Sequence, residues 1–216
     1  RSAPCFSGGL GALFDLGGDD VYQCSVMCQA FGYFFGTGLL YDATGDDDYT
    51  ITHKYGQGAA THQSAAVFWD GDGADRYRNT DDDECTGLGY DHAVAWHIDR
   101  GDGSDVYTID NAGQFVLGFA RHPSMGVLIN EGGDDEYHVP GDGGRSLGRA
   151  EAEANDHTGI GLGILGIGMF LDLGGAGDLY DTVRADVGNG LTWEQTEPLG
   201  GGWSPTMDFG WGYDAN

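Results

Sequence analysis

The chain has 216 residues, of which 41 are glycine, and 35 acidic side chains against nine Lys and Arg give a formal net charge of −26. Nucleic-acid binding needs clustered Lys and Arg against the phosphates, so this balance excludes nucleic acid as a partner. The glycines follow no Gly-X-Y period, which excludes collagen, and 40% hydrophobic residues argue against wholesale disorder.

One motif occurs six times along the chain. Each copy has an apolar residue, an anchor residue, an acidic turn containing glycine or alanine, and then a tyrosine. The anchors are Asp15, Asp42, Asp70, Asp99, Asn130 and Asp172, and successive anchors are separated by 27, 28, 29, 31 and 42 residues. Units of similar length that recur in this way predict a stack of structural repeats.

The residues around each anchor alternate with a period of two, which is typical of strands. Small residues stand four and six places before the anchor, and larger residues, mostly apolar, stand one and two places before it. A second strand is expected to begin at each tyrosine, with the tyrosine and the residue two places later pointing inward. These patterns predict an all-β fold, a parallel β-helix-like solenoid of about six coils, each of roughly 27–31 residues. The solenoid is expected over residues 1–192, with an insertion at 139–157 before the last coil and an aromatic, glycine-rich C-terminal cap or tail at 193–216.

Stacked coils would bring the repeated acids close together. At the strand spacing of about 4.8 Å, two carboxylates repel by roughly 3–4 kcal/mol at an effective dielectric constant near 20. Hard cations bound by carboxylates and turn carbonyls would remove this cost. The predicted calcium ligands are Asp15, Asp20, Asp42, Asp47, Asp70, Asp72, Asp75, Asp99, Asp105, Asp135, Asp172 and Asp178. The alternative is plain turn chemistry with solvated charge, because Asp and Gly are ordinary turn formers.

The sixth turn reads Asp172-Leu173-Gly174-Gly175-Ala176-Gly177-Asp178-Leu179-Tyr180. This spelling resembles the calcium-binding nonapeptide of RTX-type parallel β-rolls. The likeness covers about nine residues of each coil. It implies calcium between successive turns and a secreted chain.

Three histidines lie at similar places in successive repeats. His62 and His122 stand eight residues before their anchors, and His92 stands seven before. A ladder of imidazoles on successive coils would suit Zn²⁺ or Cu²⁺, or would supply a general base. The alternative is that histidine simply suits a half-exposed corner of the coil.

The cysteines and the ends of the chain bear on its compartment. Cys5, Cys24, Cys28 and Cys85 predict one or two disulfides, the alternative being buried thiols. The chain begins at Arg1 without Met or a leader, which is typical of a mature or clipped product. We therefore expect a secreted or cell-surface protein, extracellular or periplasmic. The apolar run 159–171 is too short to span a bilayer, so no membrane insertion is expected.

Three classes of function follow. The first is a calcium-stabilised repeat protein with a structural, assembly or adhesion role. The second is a polysaccharide-binding or polysaccharide-cleaving β-helix, with Trp193, Trp203 and Trp211 as sugar platforms or as cap residues. The third is a transition-metal site on the histidine ladder. Enzymatic activity is the less expected outcome, because the chain has no nucleophile elbow, phosphate loop or zinc-protease signature.

Both faces of the strand before each anchor are apolar or small, although a solenoid has one interior. Either another strand of the coil covers the second face, or that face meets a partner. The sequence therefore predicts a protein partner or self-association through the face formed by the small residues.

Overall fold

The protein forms a β-solenoid, in which each coil contributes one strand to each of three parallel sheets. The structure is a computed structural model that describes residues 4–80, 84–110, 115–141, 144–151, 165–196 and 208–215, with the backbone alone at 4–6. The predicted all-β solenoid is confirmed. The described residues contain no candidate for a membrane-spanning helix.

The three sheets run along the length of the solenoid. Sheet A consists of β1 (Pro4–Phe6), β4 (Phe31–Tyr33), β7 (Ala59–Thr61), β10 (Gly89–Tyr90), β13 (Ala120–Arg121) and β16 (Ala150–Glu151). Sheet B contains β2 (Leu10–Phe14), β5 (Thr37–Tyr41), β8 (Ala65–Trp69), β11 (Val94–Asp99), β14 (Met125–Asn130), β17 (Gly166–Asp172), β20 (Asp208–Asp214) and β19 (Thr192–Glu194). Sheet C consists of β3 (Val21–Val26), β6 (Asp48–Lys54), β9 (Arg76–Asn79), β12 (Val106–Ile109), β15 (Glu136–Val139) and β18 (Leu179–Thr182).

The register of sheet B follows the repeat of the sequence. Gly38 pairs with Ala66, Ala66 with Ala95, and Ala95 with Gly126. The same holds in sheet C, where Tyr49, Tyr77 and Tyr107 are neighbours across adjacent strands. The columns read from the sequence are therefore the ladders of the fold.

The inward side chains of sheet B differ in size from one edge of the sheet to the other. Its small residues lie where sheet A approaches closely, and a Cβ added to Gly38 would stand 2.5 Å from the carbonyl oxygen of Phe31. The next inward positions are large, and Leu40, Phe68 and Phe170 fill the middle of the core. The last inward position is the anchor residue, at the edge next to sheet C.

The small-residue columns are thus inside the molecule. Ala66 and Ala95 are fully buried, and they pack with Ala60 and Ala93 at the contact between sheets A and B. The expected association through this face is not available, because the backbone of sheet A already covers it. The outward face of sheet B is the other one, formed by the columns that include Phe14, Tyr41 and Trp69.

A ladder of tyrosines from sheet C fills the rest of the core. Tyr49, Tyr77, Tyr107 and Tyr137 are stacked with ring centroids 4.6 to 5.2 Å apart. The residues two places after these tyrosines, such as Ile51 and Ile109, are also buried. The residue directly after a tyrosine points outward, and Arg78, which follows Tyr77, is exposed. The predicted inward direction of the tyrosine and of the residue two places later is confirmed.

The C-terminal residues continue the solenoid and then close its end. Strand β20 pairs in parallel with β17, so it adds a seventh parallel strand to sheet B, and β19 pairs with β20 in antiparallel fashion. Trp193 is buried against Phe170 and Tyr180. Its indole nitrogen donates a hydrogen bond to the carbonyl of Leu147 at 2.9 Å.

Two further regions bear on the predictions. Within the expected insertion, Ala150–Glu151 forms a regular strand of sheet A, while residues 152–157 lie outside the described part of the chain. Cys24 and Cys28 form a disulfide, and Cys85 is buried outside it. The side chain of Cys5 is also outside the described part.

Candidate metal centres

The turns that join sheet B to sheet C are stacked in direct backbone contact. A Cβ added to Gly73 would overlap the carbonyl oxygen of Gly45, and one added to Gly103 would overlap that of Gly73. The same overlap recurs between Gly133 and Gly103. Glycine is needed here because the turns approach one another too closely for any side chain. This close stacking brings the acids of the turns together.

The turn acid two residues before each tyrosine links neighbouring coils. The backbone N–H of Asp47 donates to Oδ1 of Asp75 at 2.6 Å, and that of Asp75 donates to Oδ1 of Asp105 at 2.7 Å. The N–H of Asp105 in turn donates to Oδ1 of Asp135 at 2.7 Å. Each of these carboxylates therefore has one oxygen engaged by the coil before it, and its second oxygen points elsewhere.

The anchor acids receive hydrogen bonds from the tyrosine ladder. The hydroxyl of Tyr77 donates to Oδ2 of Asp70 at 2.9 Å, and that of Tyr107 donates to Oδ2 of Asp99 at 2.9 Å. Burial raises the pKa of both tyrosines well above the ordinary value, so the phenols stay protonated and act as donors. The anchors are thus fixed through one oxygen, like the turn acids.

The anchor acids and the turn acids meet in three buried groups. Each group has one anchor acid and the turn acids of two neighbouring coils, and the groups are Asp47–Asp70–Asp75, Asp75–Asp99–Asp105 and Asp135–Asp172–Asp178. In each group one oxygen from each residue lies within 4.8 Å of the others. Oδ2 of Asp75, Oδ1 of Asp99 and Oδ1 of Asp172 are buried without a hydrogen-bond partner. A buried carboxylate oxygen without a partner is costly, so these groups are suited to hold a cation or protons.

The buried environment shifts the acids toward the protonated form. Burial, reinforced by nearby carboxylates, raises the pKa of Asp75 to about 9 and that of Asp135 to about 8. Burial also raises the pKa of Asp70 to about 6 and of Asp172 to about 7. The groups therefore attract positive charge, which either protons or metal ions can supply.

The one anchor that is not an acid, Asn130, has a hydrogen-bond donor that the aspartate anchors lack. Asn130 occupies the same place in the ladder as Asp99 and Asp172. Its amide nitrogen donates to Oδ2 of Asp135 at 2.8 Å and contacts the hydroxyl of Tyr137 at 3.0 Å. At this coil a neutral donor satisfies the turn acid, so the bridging role that a cation would play elsewhere is filled by the side chain itself.

The other predicted calcium ligands lie outside the three groups. Asp72 is exposed in its turn, and Asp15 and Asp20 lie in the first repeat at partly buried positions. Asp42 is buried and accepts a hydrogen bond from Tyr49 at 3.2 Å, but it is not part of a group. The prediction thus found the acids that converge, namely Asp47, Asp70, Asp75, Asp99, Asp105, Asp135, Asp172 and Asp178, together with four that do not.

Sequence reasoning missed a seventh anchor and the donors of the site. Asp214 pairs with Asp172 in sheet B and accepts a hydrogen bond from the Tyr180 hydroxyl at 2.6 Å. The spelling Tyr213-Asp214, an apolar ring before an acid, repeats that of the anchors and was the available signal. The tyrosine hydroxyls were predicted to be inside, but not to hold the anchors.

The predicted histidine ladder is interrupted by an acid. Sheet A pairs Thr61 with Tyr90 and Tyr90 with Arg121, so the residues that follow, His62, Asp91 and His122, share one column. These three also share a left-handed φ of 56 to 58°. His92 lies one place further on, seven residues before its anchor, and is therefore outside this column.

The acid in this column joins two of the histidines. Asp91 is bonded through one carboxylate oxygen to Nδ1 of His62 and through the other to Nδ1 of His92, the latter at 3.0 Å. Although burial opposes it, these imidazole contacts lower the pKa of Asp91. Among the described residues, the side chains that converge closely enough to share an ion are all carboxylates.

The tryptophans occupy two different kinds of position. Trp193 is 3% exposed and therefore covers the end of the core rather than presenting a sugar platform. Trp211 lies on the outward face of sheet B beside Tyr213, with ring centroids 6.1 Å apart. Trp203 lies outside the described part of the chain.

The likeness to RTX-type repeats remains a resemblance of the turns. A scan against protein-family models and searches of curated proteins and of solved structures found no match to this chain.

Proposed function

We propose that this protein is a secreted or cell-surface structural repeat module whose coils are joined by calcium ions. The observation that carries the proposal is the set of three buried carboxylate groups with oxygens that have no hydrogen-bond partner. Each group draws ligands from two successive coils, so an ion bound there would tie those coils together. Ions that hold successive coils together would stiffen the solenoid, and a stiff solenoid suits a structural role in assembly or adhesion.

Calcium suits the donor set better than zinc or copper. The groups offer carboxylate oxygens, with phenol oxygens of the tyrosine ladder beside the anchors. Hard oxygen donors favour calcium, whereas zinc and copper favour imidazole and thiolate. The histidine alternative is further weakened because Asp91 engages Nδ1 of both His62 and His92.

The secreted location is part of the same proposal. Calcium-stabilised modules outside cells bind the ion with dissociation constants of about 10⁻⁴–10⁻³ M, which match the calcium available there. The Cys24–Cys28 disulfide is consistent with an oxidising compartment. Polysaccharide binding or cleavage stays a prediction, and the burial of Trp193 removes one of its three proposed platforms.

The test is the metal content of the purified protein together with its thermal unfolding. After equilibrium dialysis against millimolar calcium and subtraction of the dialysate, plasma mass spectrometry is expected to find two to three bound calcium ions per chain, since two of the three groups share Asp75. A chelator should lower the melting temperature, and added calcium should restore it more effectively than added zinc. A chain that holds no metal and melts at the same temperature with and without chelator would overturn the proposal.

A further inference from the structure

The outward face of sheet B is apolar along the whole solenoid. Three columns of outward side chains cross the seven parallel strands from β2 to β20, and all of these positions are described. Thr37 is the one polar residue among them. Exposure is greatest on the first and last parallel strands, at 71% for Leu10, 64% for Phe14 and 48% for Phe209; Val94 on the middle strand is 41% exposed, and Val127 is buried.

The other long face of the solenoid shows that this apolarity is specific to sheet B. The outward residues of sheet C include Gln23, Thr50, Arg78 and Thr108, which are polar. Parallel sheets are usually covered on both faces, and no helix of the described residues covers sheet B. Seven strands at about 4.8 Å spacing and about five residues of width give a flat apolar patch of about 500 Å². Apolar patches of this size often serve a function in soluble proteins.

We propose that this face binds a second copy of the same chain, with the two B sheets packed face to face. Two patches of this size bury about 1,000 Å² in total, which reaches the lower limit for a specific interface. Flat sheets pack in this way at about 10 Å separation, with their side chains interdigitated. A polysaccharide is the weaker candidate, because the 21 side chains of the three columns offer six hydrogen-bonding groups, namely the hydroxyls of Thr37, Tyr41 and Tyr213 and the indole N–H groups of Trp69, Trp96 and Trp211.

The charges at the two edges of the patch select the arrangement of the copies. One edge of the patch lies at the C-terminal ends of the sheet B strands, where the acidic turns begin. The exposed acids of these turns include Asp46, Asp72, Asp102 and Asp134. The opposite edge carries the corners with His62 and His92, where the charge of Asp91 is held between two imidazoles. A two-fold axis parallel to the solenoid axis places the acidic edge of one copy beside the histidine edge of the other. An axis along the strands would instead place acids against acids.

The net charge of −26 sets the salt dependence of this association. Long-range repulsion between the copies is screened by salt, while the apolar contact is not. Dimerisation is therefore expected to strengthen as salt is added. A partner held by opposite charge would weaken instead.

The test is the mass of the protein in solution, measured by light scattering after size exclusion in calcium and moderate salt. The wild-type chain is expected to elute at twice its mass of 22.9 kDa. Val94→Glu places a charge on the middle strand of the patch, in the column nearest the histidine edge, and should weaken dimerisation by at least about tenfold. Val21→Glu makes the same change at a residue that is 71% exposed on sheet C, and this variant should still dimerise.

A second variant and a cross-link keep the test independent of folding defects. Phe14→Glu, at a more exposed position, should also weaken the dimer, and the melting temperature of each variant shows whether it is folded. Val67→Cys should be joined to its own copy by a short bifunctional maleimide under the proposed axis, whereas an axis along the strands would place it opposite strand β14. A wild-type monomer at high concentration, or dimers that persist in both Val94→Glu and Phe14→Glu, would overturn the proposal. A monomer that instead binds polysaccharide would overturn it as well.

Discussion

The two oxygens of a single carboxylate have different roles in this protein. Oδ1 of Asp75 accepts the backbone N–H of Asp47 at 2.6 Å, whereas Oδ2 is buried with no partner. Asn130 shows how an amide resolves the same situation, because its oxygen and nitrogen can serve as acceptor and donor at once. The choice between Asp and Asn therefore decides whether a coil needs a cation.

Asp75→Asn tests this choice at the residue shared by two groups. The amide oxygen would keep the bond from Asp47, and the new N–H₂ would donate to a neighbouring carboxylate. The free energy of unfolding of the chelated protein is expected to rise by about 1–3 kcal/mol, because a buried unsatisfied group is removed. The calcium-dependent rise in melting temperature should shrink, as measured by calorimetry. Asp72→Asn, at an exposed turn position, is the matched control and should change neither quantity.

Asn130→Asp is the reverse change. It removes the donor to Asp135 and Tyr137 and places a carboxylate among buried acids. The chelated variant is expected to melt at a lower temperature than the wild type, and mass spectrometry should find more bound calcium per chain. Unchanged calcium content with an unchanged melting temperature would contradict the assignment of this coil.

At the scale of the elements, the stacked turns position the acids. The paired strands set the distance between neighbouring coils. The glycines of the turns allow the turn backbones to come into contact as well, as at Gly103 and Gly73. Because the turns are in contact, the acids of two coils and the anchor between them converge on one place. The geometry of the site is therefore a property of the stack rather than of any single turn.

Gly103→Ala tests the close stacking of the turns. The added methyl group would overlap the carbonyl oxygen of Gly73, so the turns must separate. We expect a loss of about 3 kcal/mol or more in the free energy of unfolding, measured by denaturant titration. Gly188→Ala is the control, because its new methyl group would meet its nearest neighbour, Cδ1 of Leu191, at an ordinary 3.5 Å.

At the scale of the whole molecule, the column of buried acids couples stability to pH. The folded-state pKa of Asp70 is raised from 3.8 to about 6, and that of Asp75 to about 9, chiefly by burial. A folded-state pKa above the unfolded one means that the folded chain holds protons the unfolded chain has released. Stability from these groups is then present at low pH and is lost as pH rises through the folded values.

The chelated protein is therefore expected to be more stable at pH 5 than at pH 8. Asp70 alone accounts for about 1.4 kcal/mol of this difference, since its folded-state pKa of about 6 lies one unit above pH 5 and each pKa unit corresponds to about 1.4 kcal/mol. Calcium competes with protons for the same oxygens, so its stabilising effect should be larger at pH 8 than at pH 5. Thermal melts at both values, with chelator and with calcium, measure both effects. A chelated protein that is equally stable at the two pH values would contradict this account.

The sequence alone determined the repeat, its strands and the ladders they form. A period of two around each anchor predicts which residues share a column, because neighbouring coils of a parallel stack repeat the same local pattern. The pairing of Gly38 with Ala66 and of Tyr49 with Tyr77 confirms this. The acids that converge were also among those predicted from their columns.

The tertiary structure decided which face is inside and which atoms are left without partners. Both faces of the sheet B strands are apolar or small in the sequence, and only the close approach of sheet A shows that the small residues face inward. The place of Asp91 between His62 and His92 depends on the register of sheet A at the corner. The free oxygens of Asp75 and Asp99 likewise depend on tertiary hydrogen bonds, because the backbone of Asp47 engages the other oxygen of Asp75 and the hydroxyl of Tyr107 engages that of Asp99. Local pattern fixes what is repeated along the chain, whereas burial and hydrogen bonding between coils follow from how the coil closes on itself.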